Sequence, residues 1–401
     1  MKTLLYPAVA FMNRLSFGMK FSLVSLLFFV PMLLTNFYLV RDSYREFVGT
    51  RNELQSLALL GSALQLRRDV EDWHDLVQIE AIIGQTGNAA VLDERRGQVE
   101  SQLSARLQAL QPVSDDPEQI AEFSARRDEL STALGRAQAE QSLQSKAAMA
   151  ASLLGRVQVM IRLVAGQSGL SQDAQREVRL LAELVASVAP TITATLGQGR
   201  AVGSYTFGQG YLNSDASNTL DNLVLELERL QAQYAAQLQD SLAGSAEARA
   251  QLDQYASASR DSLGLASEIL QDEVIMADAF DRPWAQFYDR IGAEMAKTYQ
   301  FNDRILQLLE GDLAERLAQK RLLMTLLLSA LGVVLLLVAY LYGGFYVSTR
   351  ASLRGLGRVM ECVAEGDMTA RYTVQSRDEL GELGQLFNDG VARIRELIER
   401  V

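Results

Sequence analysis

At 401 residues the chain is long enough for two or three domains of ordinary size. Its formal net charge of −11 offers no basic field for nucleic-acid phosphates, which excludes DNA or RNA as a partner. A single cysteine, Cys362, and a single histidine, His74, exclude an intrachain disulfide, a cysteine metal cluster and a two-histidine zinc site; neither metal nor cofactor is expected.

Only six prolines stand among abundant Leu, Ala, Gln, Glu and Arg, a balance that predicts an all-α fold. After a cytoplasmic N-terminus (1–20), residues 21–40 (FSLVSLLFFVPMLLTNFYLV) carry no charge and match the roughly 20 residues that cross a hydrocarbon core. The run is longer than the hydrophobic part of a signal peptide and ends in Val40-Arg41-Asp42, so it reads as an uncleaved transmembrane helix. Pro31 lies in its middle and is expected to bend it.

From 41 to 321 apolar residues recur at three and four, as in Leu220, Leu223, Leu227 and Leu230, which makes a helical stripe. Helix ends are expected at Gly84–Asn88, Pro112–Pro117, Pro190, Gly197–Asn213 and Asp281–Pro283, where Gly, Pro and Asn gather. So long a region predicts two stacked helical-bundle modules, with a passage between them near Gln141–Ala148. Pockets in bundles form between helices around a few inward polar groups. Two groups are candidates for binding a ligand: Arg156 and Arg162 with Gln167 and Ser168, and Arg200 and Tyr205 with Gln209 and Tyr211 in the Gly-rich stretch. The competing reading of each is a solvated arginine or a helix-breaking loop. His74 reads as a packing or surface residue, and the aromatics of Asp281–Tyr288 as core.

Residues 322–346 begin with a second uncharged run, Leu322–Tyr342, and Tyr340, Tyr342, Phe345 and Tyr346 mark an interfacial belt at its far end. Lys2, Arg14 and Lys20 before the first span, and Arg350, Arg354 and Arg358 after the second, place both termini in the cytoplasm. The intervening region is too long for its own flanking charges, Arg41, Lys320 and Arg321, to decide orientation. In a two-membrane bacterium this makes a multi-pass inner-membrane protein with 41–321 in the periplasm.

Within 347–401, Leu353, Leu356, Met360 and Val363 keep the rhythm of a coiled-coil seam. A stop at Glu365-Gly366-Asp367 follows, then an extended stretch, then a second seam through Leu380, Leu383, Phe387, Ile394, Leu397 and Val401. Two short amphipathic helices cannot bury such seams alone, so a homodimeric four-helix bundle is expected. The string EGDMTARYTVQSRDELGELGQLFND resembles the HAMP family, in which Gly366 and Asp367 would open the connector and Asp378, Glu379 and Gly381 the second helix. The resemblance implies a parallel bundle clamped by apolar connector residues, here Met368 with Tyr372 or Val374. Ser352 replaces the proline that usually starts the first helix of that family, and Gly390 an apolar seam residue.

Tyr340–Tyr346, the close Ile394–Val401 and, in the external region, Met160–Leu170 and Gly197–Gly203 are similar to methyl-accepting chemotaxis proteins. That resemblance implies a chemoreceptor-type transducer that senses a small organic acid, directly or through a periplasmic binding protein, and works with other chemoreceptors and the chemotaxis kinase machinery. Val401 ends an unfinished heptad helix, so the start of an output helix is expected there and the output hairpin of the family is absent. The input half of a membrane histidine kinase, and a truncated receptor that modulates full-length partners, stay open as alternatives. No Ser-His or Cys-His pair and no phosphate-binding glycine loop occurs, so an enzyme is not expected.

Overall fold

A computed structural model describes residues 11, 17–83, 89–114, 116–373 and 379–399. The expectations at Lys2 and Arg14, at the Gly84–Asn88 break, and at Val374, Asp378 and Val401 lie outside the described residues.

Every regular element among the described residues is a helix. In chain order the α-helices are α1 (Phe17–Ile83), α2 (Ala89–Ala109), α3 (Pro117–Ala139), α4 (Leu143–Gln167), α5 (Arg176–Glu183), α6 (Ala189–Gln209), α7 (Ser214–Leu242), α8 (Ala246–Leu270), α9 (Trp284–Ala364) and α10 (Glu379–Glu399), with short 3-10 or π-helical segments at Leu170–Gln172, Leu184–Val188 and Gln271–Ile275. The chain forms two compact units, one of residues 44–321 and one of residues 1–43 with 322–401.

Local chemistry sets the starts of the helices in the first unit. Asp116, Ser142, Asn213 and Ser245 each stand at an N-cap, and their side chains accept a backbone N–H of the first turn of α3, α4, α7 and α8. Pro117 occupies the first position of α3, where its missing N–H costs nothing. The core of this unit is built on Trp73, Phe123, Phe287 and Phe301, each below 2% exposed. Burying side chains of this size contributes about 1.5–3 kcal/mol each. Trp284, Phe287 and Tyr288 are buried at the start of α9, as the sequence predicts.

Three expectations are corrected. First, residues 44–321 form one unit, not two stacked modules. Arg106 of α2 donates to Gln65, Arg67 donates to Gln158 of α4, and Thr193 of α6 donates to Glu71. Three helices thus meet α1 over the same two turns, which stacking would place at different heights. The reason is loop length: connections of a few residues return each helix beside its predecessor, and Glu140–Ser142 is such a turn between α3 and α4. Second, Gly197–Asn213 is not a break, because α6 runs through to Gln209 and ends at Gly210. A Cβ on Gly203 would run into the Phe287 ring and one on Gly199 would lie 2.9 Å from Leu270, so these glycines serve close packing.

Pro190 does not end a helix either. It lacks an N–H, and the turn before it widens into a π-helical segment, Leu184–Val188, between α5 and α6. The Ala186 carbonyl, four residues before the proline, accepts from Gln158 Nε2 at 2.9 Å instead.

Four helical stretches among the described residues are long and apolar enough to cross a membrane. In α4 and in 176–209 the apolar window is 33% and 61% buried against other helices, whereas in α1 and α9 none of it is buried. Within their own unit α1 and α9 meet where Phe29 and Tyr342 pack edge to face at 6.3 Å. Beyond Pro31, the Thr35 hydroxyl and the Asn36 amide donate back to the carbonyls of Pro31 and Met32, so their polar groups are satisfied locally.

Candidate functional site

The first unit carries a layer of buried charge built on three helices. On α1, Arg67, Glu71 and Asp75 follow at four-residue steps and so share one face. Thr193, Gly197 and Arg200 recur likewise on α6, and Tyr288, Tyr299 and Asn302 lie along α9. Arg200 is 4% exposed and donates through Nε and Nη2 to Asp75 Oδ2 at 2.9 and 2.7 Å, and through Nη2 to Asp72 at 2.8 Å. Its guanidinium lies over the Tyr288 ring, 4.3 Å from the centroid. Burial alone would lower its pKa; Tyr288, Asp75 and Asp72 outweigh this and raise it well above the ordinary value. The second oxygen of Asp75 meets His74 Nδ1 at 2.9 Å, and Gln78 Nε2 lies 2.9 Å from His74 Nε2. An amide donating to Nε2 fixes the proton on Nδ1, from which it is donated to Asp75. Gly197 makes room for this carboxylate, since a Cβ there would lie 3.1 Å from Asp75 Oδ2.

One turn lower, Arg67 pairs with Glu71 at 2.9 Å and donates to Gln158 and to the Pro190 carbonyl, both at 2.9 Å. Glu71 also accepts from Thr193 Oγ1 at 2.8 Å and Tyr299 OH at 2.6 Å. Burial pushes the Glu71 carboxyl up, against the opposing pull of Arg67, Tyr299 and Thr193. Burial, with the anion of Glu71 beside it, also raises Tyr299. A buried layer whose charges are paired in this way fixes one packing of the helices, while a lost partner leaves an uncompensated charge.

The two sequence-derived groups fall in different surroundings. Arg156 is exposed and bonded to Glu129, Arg162 is exposed, and Gln167 donates to Glu122 at 3.3 Å. Ser168 is buried at the end of α4, where its hydroxyl donates to the Ala165 carbonyl and accepts the Leu170 N–H. Tyr205 accepts from Asn213. Arg200 lies in the charged layer, but its Nε and Nη2 donors are taken by the two aspartates. Arg67, Glu71, Thr193, Tyr299 and Asn302 were missed: Arg67 and Glu71, four apart, look like an ordinary surface ion pair. The signal for them is the matching helical spacing of polar residues on α1 and α6.

In the second unit α9 ends in a Schellman turn. Gly366, at φ +103°, donates to the Val363 carbonyl, and Asp367 N–H to that of Cys362. That positive φ favours glycine. Asp367 Oδ1 accepts both the backbone and the hydroxyl of Thr369, which holds its carboxyl below the usual range. Tyr372, 6% exposed, is the anchor of the connector, while Met368 is half-buried. A Cβ on Gly355 would lie 3.1 Å from the Tyr372 ring and one on Gly384 would overlap it, so two glycines, one on each helix, form its slot. Asn388 bonds the Tyr372 backbone twice, accepting its N–H and donating to its carbonyl, each at 2.8 Å. Gly381 is buried near the start of α10. Glu379 is the first residue of that helix. Gly390 is exposed, and a Cβ there would meet nothing within 4 Å.

Residues 348–396 match the HAMP domain family. No curated protein and no solved structure gave a significant match to the chain. The all-helical chain thus carries a HAMP domain, a module of signal-transducing proteins, and relays signals. With its apolar helices, that domain points to a membrane-associated protein.

Proposed function

We propose that the chain is a chemoreceptor-type transmembrane transducer, without catalytic activity of its own. In this reading residues 21–40 and 322–346 span the bacterial inner membrane, 41–321 sense a small molecule or a binding protein in the periplasm, and 347–401 relay the signal in the cytoplasm. The observation that carries it is α9, one helix that holds Tyr299 of the charged layer, the uncharged run and the first HAMP helix. At about 1.5 Å per residue a continuous helix is a direct path along which a shift could pass. Homodimerisation is supported by Met360, Leu383, Leu386, Ile394 and Leu397, which stay exposed at 44–66% in one chain.

A stimulus that favours one packing of the external helices would move the second span by about 1–2 Å, and HAMP would convert the shift into another bundle packing. The test is a chimera of residues 1–401 with the cytoplasmic hairpin of a characterised chemoreceptor, read through its kinase. Kinase control by an externally added amino acid or organic acid supports the reading. Function only with a histidine-kinase output would favour the alternative, the input half of a sensor kinase.

A further inference from the structure

Between α1, α6 and α9 lies a cavity of about 30 Å³ bordered by Arg67, Arg68, Glu71, Asn302 and Asp303. A water needs roughly 10–15 Å³ by this measure, so the cavity, which opens to the surface, holds about two. Two polar atoms at the cavity have no partner in the protein. Arg67 Nε is an unused donor, since the other donors of this guanidinium serve Gln158, Pro190 and Glu71. Asn302 Oδ1 is an unused acceptor. Both residues are only 7% exposed, so bulk water does not compensate them. At the rim Arg68 stacks on Tyr299, 4.1 Å from the ring centroid, and Asp303 is half desolvated, which raises its carboxyl against the pull of Arg68.

The geometry points to a binding site for the head group of a small α-amino acid. A carboxylate alone would answer Arg67 Nε and Arg68 but face Asp303. An ammonium alone would answer Asn302 Oδ1 and Asp303 but face Arg68. A zwitterion answers both halves, its ammonium and one carboxylate oxygen replacing the two waters. The rest of a small ligand would lie toward the open side of the cavity, beside Gly61 and Leu64.

This site deepens the sensor reading and rests on it for its consequence: Arg67 and Arg68 lie on α1, and Asn302 and Asp303 on α9, the two helices whose apolar windows are unburied. A ligand bridging them binds best at one offset of the two helices, which is the differential affinity that a population shift requires.

The test uses the full chain in lipid nanodiscs, with thermal unfolding followed against glycine, L-alanine and L-serine, and against acetate and methylammonium as single-charge controls. The amino acids should raise the midpoint and the controls should not. Asn302→Leu removes the orphan acceptor and fills the cavity, so it should unfold no lower than the parent without ligand yet bind roughly tenfold or more weakly. Arg68→Gln, at the half-buried rim, should likewise weaken binding. The site is refuted if no amino acid shifts the parent, if acetate shifts it equally, or if Asn302→Leu binds as the parent does; the cavity then holds water only. Membrane topology, measured separately, is untouched by these outcomes, so failure of the site and failure of the receptor reading remain distinct.

Discussion

Trp73, Phe123, Phe287 and Phe301 bury themselves within a single chain, and the charges around them are paired within it as well. In the HAMP segment Tyr372 and Val391 are buried while Leu383, Leu386, Ile394 and Leu397 remain in the open. The difference lies in helix number: many helices in residues 44–321 enclose a core, whereas two cannot cover both sides of a seam. A region that closes on itself can change packing only by re-pairing what it has buried. The HAMP segment is held within one chain by the small Tyr372 clamp, which leaves its seam exposed.

This contrast can be broken most severely at Arg200. Arg200→Met would leave Asp75, 2% exposed, without its cation, and the unfolding free energy of residues 44–321 should drop by about 3–5 kcal/mol. Denaturant unfolding checks this, while cross-linking through a cysteine placed at Leu383 should be unchanged. A loss well under 1 kcal/mol would mean that the layer is not sealed. The reverse case is Gly384→Ala, whose methyl group would overlap the Tyr372 ring; it should cost about 1–3 kcal/mol locally and accelerate amide exchange at Tyr372, with the other unit unaffected. Asn388→Ala removes two backbone bonds of about 1 kcal/mol each or less, and should free the connector while α10 keeps its helicity, as exchange at Tyr372 against circular dichroism would report.

The mildest comparison is with pH, where the buried carboxyls of the first unit and Asp367 of the second should differ in sign. Burial raises Glu53, Asp69, Glu71 and Asp303 in the first unit. Stability from raised carboxyls is complete below their unfolded values of 4.5 for Glu and 3.8 for Asp, and is lost as pH rises through the folded values. Asp367 is lowered by its bonds to Thr369, so its contribution is present above 3.8 and lost as pH falls through the folded value. Exchange rates at residues around Glu71 and at Thr369, followed over the acid range, should therefore move in opposite directions.

Much of this was legible in the chain. Charge-free runs and three-four spacing follow from solvation and helix geometry alone, so the helical class and both apolar segments could be read directly. The string around Gly366 and Asp367 revealed the turn, and Tyr372 stood among the expected connector clamps. Pairing across sequence escaped. Spacing gives a helix its apolar face but not the helix that covers it, so the side-by-side arrangement around α1 went unread. Gly197 and Gly203 carry the same letter whether they end a helix or let one approach. Arg200 meets Asp75 from 125 positions away, and Asn388 reaches Tyr372 from 16, neither marked by local pattern.

The proposed topology would put residues 41–321 and the HAMP segment on opposite faces of one membrane. Cys362 is exposed and is the single cysteine of the chain, so it serves as a native probe beside Asp215→Cys in a Cys362→Ser background. With a membrane-impermeant maleimide on cells whose outer membrane is permeabilised, the cysteine at 215 should label at once and Cys362 only after lysis. Labelling of Cys362 from outside, or protection of the cysteine at 215, would contradict the account.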